Sequence, residues 1–186
     1  MNIPAALNTI LGEYEQVFSK INQEMLNDFT RIIKAHDRIF CIGVGREGMA
    51  TRAFAMRLMH MGKEVHWIWD DTTPNIGRGD LLLATAGGGY IGHIHYVCEI
   101  AKAAGATLAV ATGSPSGKTA QMADFVLFVP AAVYRGTDPV VSSIQPMGNL
   151  FEQCLLIMFD VIVMQIVETT PGLTFEKMSE RHRNVE

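Results

Sequence analysis

Three stretches of the chain carry groups that could do chemistry. The first is ATAGGGYIGH, Ala84 to His93, in which an apolar run ends in three successive glycines. Successive glycines let backbone N–H groups converge on an anion, and a helix starting near Ile91 would add its positive end. The alternative is that these glycines permit a tight turn where two elements or subunits approach closely. The second is GVGREG, Gly43 to Gly48, a G-x-G-x-x-G between an apolar run and a helical pattern. Asp70 and Asp71 follow at about the 20-residue spacing of a ribose-binding acid, so the stretch matches a dinucleotide fingerprint by spacing. Arg46 and Glu47 inside the turn, and a chain too short for a separate substrate domain, argue against that reading.

The third is SSIQPMGNLFEQ, Ser142 to Gln153. Pro146 and Gly148 mark the start of a long helix, and Glu152 falls one turn inside it, just before the sequence becomes strongly apolar at Cys154. A carboxylate against an apolar wall and open to a cleft can acquire the raised pKa of a general base. A helix-N-terminal glutamate stabilised by the helix dipole is the alternative. His93 and His95 are two apart at a helix start and fall on different faces, which argues against a shared metal. Cys41, Cys98 and Cys154 have no C-x-x-C spacing, and an odd number of isolated cysteines suits a reducing cytoplasm.

Groups this scattered need a scaffold that brings loops together. Between residues 38 and 130 the chain repeats a short apolar run, a glycine-rich turn and a stretch with helical spacing. The runs at 38–43, 64–69, 80–85, 106–112 and 124–130 read as strands of a parallel sheet covered on both faces. Helices are expected at 47–61, with Met49, Ala53, Met56 and Met59 as the apolar spacing, and at 91–104 and 118–122. Two amphipathic helices at 4–19 and 21–35 precede the sheet, and helices at about 147–168 and 174–181 follow it. The expected fold is α/β and doubly wound, one domain over 1–186, with loops at the strands' carboxyl ends forming the site.

The totals narrow the partner. A net charge of -4 argues against a nucleic-acid surface, so a small molecule is expected. The N-terminus lacks a basic-then-apolar signal order, so no export is expected. The run from Cys154 to Val167 carries Asp160 and Gln165 and is too short to span a bilayer, so it reads as a core or subunit-interface helix.

Several stretches together resemble the SIS (sugar isomerase) domain family and, within it, the 6-phospho-3-hexuloisomerase branch. They are RIFCIGVGREG, RAFAMRLMHMG (52–62), TTPNIGRGDLLLA (72–84), EIAKAAGA (99–106), IQPMGNLFEQ (144–153) and ERHRNVE at the C-terminus, in family order. The resemblance implies a five-stranded, flavodoxin-like parallel sheet with helices on both faces and an N-terminal helical pair. It further implies a homotetramer with active sites between subunits, a small sugar as substrate, no metal or organic cofactor, and isomerisation through an enediol. Glu152 is then the candidate base, and His182, reaching a neighbouring subunit's site, the candidate second acid-base group. Gly45, Arg46, Glu47, Thr85, Gly87, Gly88, Gly89, Tyr90 and Gln145 are the candidate substrate contacts.

The chain departs from the branch at the anion end of the substrate. Where the branch reads SGSGET, this chain has AGGGYI, with Ala86 and Gly88 for the serines, Tyr90 for the glutamate and Ile91 for the threonine. Where the branch reads G-x-G-R-S-G, Glu47 replaces the serine, and its carboxylate would repel a phosphate dianion unless Arg46 or another cation pairs with it. Each lost charge-assisted hydrogen bond is worth about 1.5–3 kcal/mol. A terminal sulfonate held by glycine N–H groups and Arg46, or a neutral polyol end bonded by Glu47 and Tyr90, fits the altered loops better. The functional expectation is a sugar isomerase, including a sulfosugar aldose-ketose isomerase. A non-catalytic SIS sugar-binding or regulatory module is the alternative, and a dinucleotide-binding oxidoreductase a weaker one.

Overall fold

The apolar runs become strands because each alternates its side chains between two covered faces. In the computed structural model, which describes residues 2–185, β1 (Arg38–Ile42), β2 (Glu64–Trp67), β3 (Leu81–Thr85), β4 (Thr107–Thr112) and β5 (Phe125–Phe128) form one sheet. All neighbours are parallel, in the order β2-β1-β3-β4-β5. Glu186, the last residue of the ERHRNVE match, lies outside the described residues. Ile39, Cys41, Leu81, Leu83, Ala109 and Leu127 enter one apolar layer, while Phe40, Ile42, Leu82, Ala84, Leu108 and Val110 enter the other.

The first layer is closed by α1 (Ile3–Phe18), α2 (Gln23–Ala35), α3 (Gly45–His60), α6 (Asn149–Glu168) and α7 (Phe175–Glu180). The second is closed by α4 (Gly92–Ala103) and α5 (Lys118–Gln121). This is the expected flavodoxin-like arrangement, with the winding direction reversing between β1 and β3 and a crevice opening beyond their carboxyl ends. The β1–β3 register, Ile39 opposite Leu81 and Ile42 opposite Ala84, brings the two following loops level at that crevice.

Two helices differ from their sequence reading. On α3 the spacing through Met49, Met56 and Met59 marks the outer face, 66%, 42% and 38% exposed, whereas Ala50, Thr51, Phe54 and Leu58 face the sheet. The helix carries apolar residues on two faces, and the one with Phe54 and Leu58 enters the core. By length and composition α6 is long and apolar enough to cross a bilayer, yet half of it is buried inside the protein. Its Phe159 ring stacks on Phe54 of α3 with centroids 4.3 Å apart, and both contact Phe29 of α2. Leu156, Ile157, Val161 and Met164 remain on its outer face.

Phe159→Ala removes the ring that joins three helices, so it should lower unfolding stability by about 3–5 kcal/mol in urea titrations. A loss below about 1 kcal/mol would contradict this packing role.

Candidate active site

The loop after β1, the loop after β3, the segment at 133–135 and the start of α6 enclose a cavity of about 630 Å³ at the crevice. Gly45, Arg46, Glu47, Gly87, Gly88, Tyr90 and Glu152, all read from the sequence as site residues, line it.

The glycine loop holds a group of its own chain. Glu47 Oε2 accepts the Gly87 N–H at 2.8 Å. Burial pushes the Glu47 carboxyl up to about 7; the Gly87 bond pulls it down, and the nearby Glu152 charge raises it further. A side chain on Gly87 would stand 2.7 Å from Glu47 Oε2 and 2.9 Å from the Phe151 ring, so this position admits no Cβ. Gly89 N–H donates to the Ala86 carbonyl at 2.8 Å. Two of the three glycine amides are therefore already bonded within the chain, contrary to the expectation of an open anion nest. Close approach is the other use of the loop: a Cβ on Gly88 would lie 2.7 Å from the Tyr134 carbonyl oxygen.

Thr85 is not at the cavity wall. It is fully buried, its hydroxyl donating to the Ile42 carbonyl at 3.4 Å and lying 3.0 Å from that of Thr51. Nor does Gly89 line the cavity, because it is buried against Gly117 and Ser114. Gln145 also lies off the wall; its side-chain Nε2 is buried and has no hydrogen-bond partner among the described residues.

Glu152 sits on the first turn of α6, and its carboxylate accepts from Arg46 Nε at 2.6 Å. Arg46 thus pairs with Glu152 and not with Glu47, because α6 presents its carboxylate directly to the guanidinium while Glu47 turns inward to Gly87. Helix α1 fixes the approach to α6. Buried Glu13 accepts from Ser143 Oγ at 2.6 Å and Ile144 N–H at 2.7 Å, and the Tyr14 hydroxyl donates to Gln153 Oε1 at 2.8 Å.

His182 is elsewhere on the chain. Its ring stacks on that of His60, centroids 5.2 Å apart, in a cavity of about 420 Å³ that also has Arg57, Asp160 and Phe175 in its wall. The two cavities share no lining residue. Asp70, the fingerprint acid, lies 3.7 Å from Arg52 and does not line the larger cavity. Among the described residues no group of three or more His, Cys, Asp or Glu side chains is arranged to hold a metal ion.

Val133, Tyr134, Arg135, Met147 and Phe151 line the cavity without having been marked by the sequence. The segment between β5 and α6 has neither strand nor helix periodicity, and its prolines and glycines say nothing of which side chains face the site. Arg135 and Met147 both adopt positive φ, 62° and 60°, a conformation uncommon outside glycine.

The SIS domain family model matches residues 31–157. The 3-hexulose-6-phosphate isomerase of Mycobacterium gastri is 36% identical over 97% of this chain and 89% of its own. That of Bacillus subtilis is 32% identical over 95% of both chains. A crystal structure from Methanococcus jannaschii, for which a molecular function of 3-hexulose-6-phosphate isomerase was inferred, superposes with a TM-score of 0.82 at 26% identity, covering 97% of this chain and 98% of the other.

Glu47 makes stability depend on pH. Its folded value of about 7 lies above the ordinary 4.5, so the folded chain holds this proton more tightly and its contribution to stability falls as pH rises from about 4.5 to about 7. Glu47→Gln should match wild type near pH 4 and exceed it by about 3 kcal/mol at pH 8 in urea titrations. A difference that stays constant with pH would contradict the burial of an ionisable Glu47.

Proposed function

Because the chain belongs to the SIS domain family, we propose that it is a phosphosugar isomerase of the 3-hexulose-6-phosphate isomerase type. The observation that carries the reading is the placement of Glu152, on the wall of the switch-point cavity and oriented by Arg46 at 2.6 Å. A carboxylate so held can take the proton from the hydroxyl-bearing carbon next to the substrate carbonyl, leaving an enediolate. It returns the proton to the former carbonyl carbon while the oxygen-bound proton moves the other way. The carbonyl then stands one carbon along, with atoms and electrons balanced.

The oxygen-to-oxygen transfer needs a second acid-base group. His182 lies in a separate cavity of the same chain, so in this proposal it serves the Glu152 site of a neighbouring copy in a homotetramer. The outward Met49 and Leu156, in a groove beside Arg46 and Glu152, support an apolar subunit face there. The three cysteines are free and buried, which supports a cytoplasmic setting.

At the substrate's terminus, the Glu47–Gly87 contact favours a second reading, a sulfosugar aldose-ketose isomerase. A carboxylate in the glycine loop repels a phosphate dianion more strongly than a sulfonate monoanion.

Deuterium incorporation from D2O next to the carbonyl, followed by NMR over phosphorylated, sulfonated and free ketoses, tests the proposal. Exchange should appear with anion-terminated ketoses and fall about 10²- to 10⁴-fold in Glu152→Gln. Undiminished exchange in that variant would overturn the role of Glu152, and sugar binding without any exchange would favour a non-catalytic module.

A further inference from the structure

We propose that Arg135 holds the terminal oxyanion of the substrate, in a cavity whose glycine loop Glu47 already occupies. The inference rests on the sugar isomerase reading and names the part of the site that recognises the substrate's end.

Two arginines line the cavity, Arg46 and Arg135. Arg46 is bound to Glu152 at 2.6 Å, at the reacting end. Arg135 pairs with no carboxylate among the described residues; its guanidinium carbon lies 4.9 Å from the ring centroid of the adjacent Tyr134. A guanidinium offers two N–H groups in a fork that matches two oxygens of a phosphate or sulfonate.

The segment carrying Arg135 is fixed in place. Tyr134 backbone is wedged between two glycines, since a Cβ on Gly88 would lie 2.7 Å from its carbonyl oxygen and one on Gly148 2.7 Å from its nitrogen. Three residues beyond Arg135, Asp138 accepts from Ser114 Oγ and, at 2.8 Å, from Ser116 Oγ. Arg135 keeps a φ of 62° between these anchors, an uncommon conformation that persists where surroundings impose it and that recurs at ligand clamps. The Gly87 N–H that would serve an anion in the glycine loop is bonded to Glu47. Tyr90 lines the same cavity, and the Lys118 ammonium lies 5.6 Å from its ring centroid.

Glycerol 3-phosphate and 2,3-dihydroxypropane-1-sulfonate, which carry the two oxyanions without a carbonyl, serve as non-reacting probes for calorimetric titration. Wild type should bind at least one, and the stronger identifies the favoured terminus. Arg135→Ala should weaken that binding about ten- to a hundredfold, and Arg135→Lys less. In turnover, Arg135→Ala should raise KM more than it lowers kcat, and the kcat/KM ratio of anion-terminated to free ketose should fall at least about tenfold. Absence of probe binding to wild type, equal binding by Arg135→Ala, or an unchanged kcat/KM ratio would overturn the assignment. Probe binding that depends on Arg135 in a chain showing no proton exchange would uphold the anion site while overturning the isomerase reading.

Discussion

Glu47 Oε2 meets the Gly87 N–H at 2.8 Å, joining the two loops that frame the crevice between β1 and β3. Much of the local sequence is constrained by that closeness. Gly43 and Gly48 must lack side chains because a Cβ on Gly43 would fall 2.2 Å from Thr85 Oγ1 and one on Gly48 2.7 Å from the Gly43 backbone. Gly87 must lack one because Glu47 and Phe151 fill the space. The glycines therefore serve the meeting of loops first. The amide that such a loop usually offers to a ligand is satisfied by a side chain delivered from the first turn of α3.

The electrostatics of the cavity follow from the same contact. Two carboxylates, Glu47 and Glu152, share it, and the one direct guanidinium contact goes to Glu152. Glu47 is left to burial and a single amide, which is why its proton leaves near pH 7 and not in the usual carboxylate range. The second arginine of the cavity, Arg135, has no carboxylate partner among the described residues. In the proposed binding mode, the anionic end of the substrate lies at Arg135 and its carbonyl near Glu152.

The sheet was legible because its strands are short apolar runs interrupted by glycine, and all five and their flanking helices lie within a few residues of the expected ranges. The family motifs carried the topology and the position of Glu152 at the start of α6. Side-chain partners were less legible. Spacing on α3 showed two apolar faces without telling which one meets the sheet, and Met49, Met56 and Met59 lie outward. Whether Arg46 or another cation pairs with Glu47 was left open by the sequence, and the structure gives Arg46 to Glu152 and Glu47 to the Gly87 amide. Thr85 ends its strand inside the core, and the loop carrying Arg135 has no periodicity from which its side chains could be assigned. His182 is apart from Glu152 within one chain, so any joint role depends on a neighbouring copy that a single sequence does not describe.

In the glycine loop, Glu47 Oε2 sits on the Gly87 N–H where a ligand oxyanion would otherwise bind. The most direct test of that occupancy is the dissociation constant of glycerol 3-phosphate for wild type and Glu47→Ser, measured at pH 8, where the carboxylate is ionised. Freeing the Gly87 N–H and removing the charge should tighten binding by about tenfold or more. Binding that is unchanged or weaker in Glu47→Ser would contradict the account.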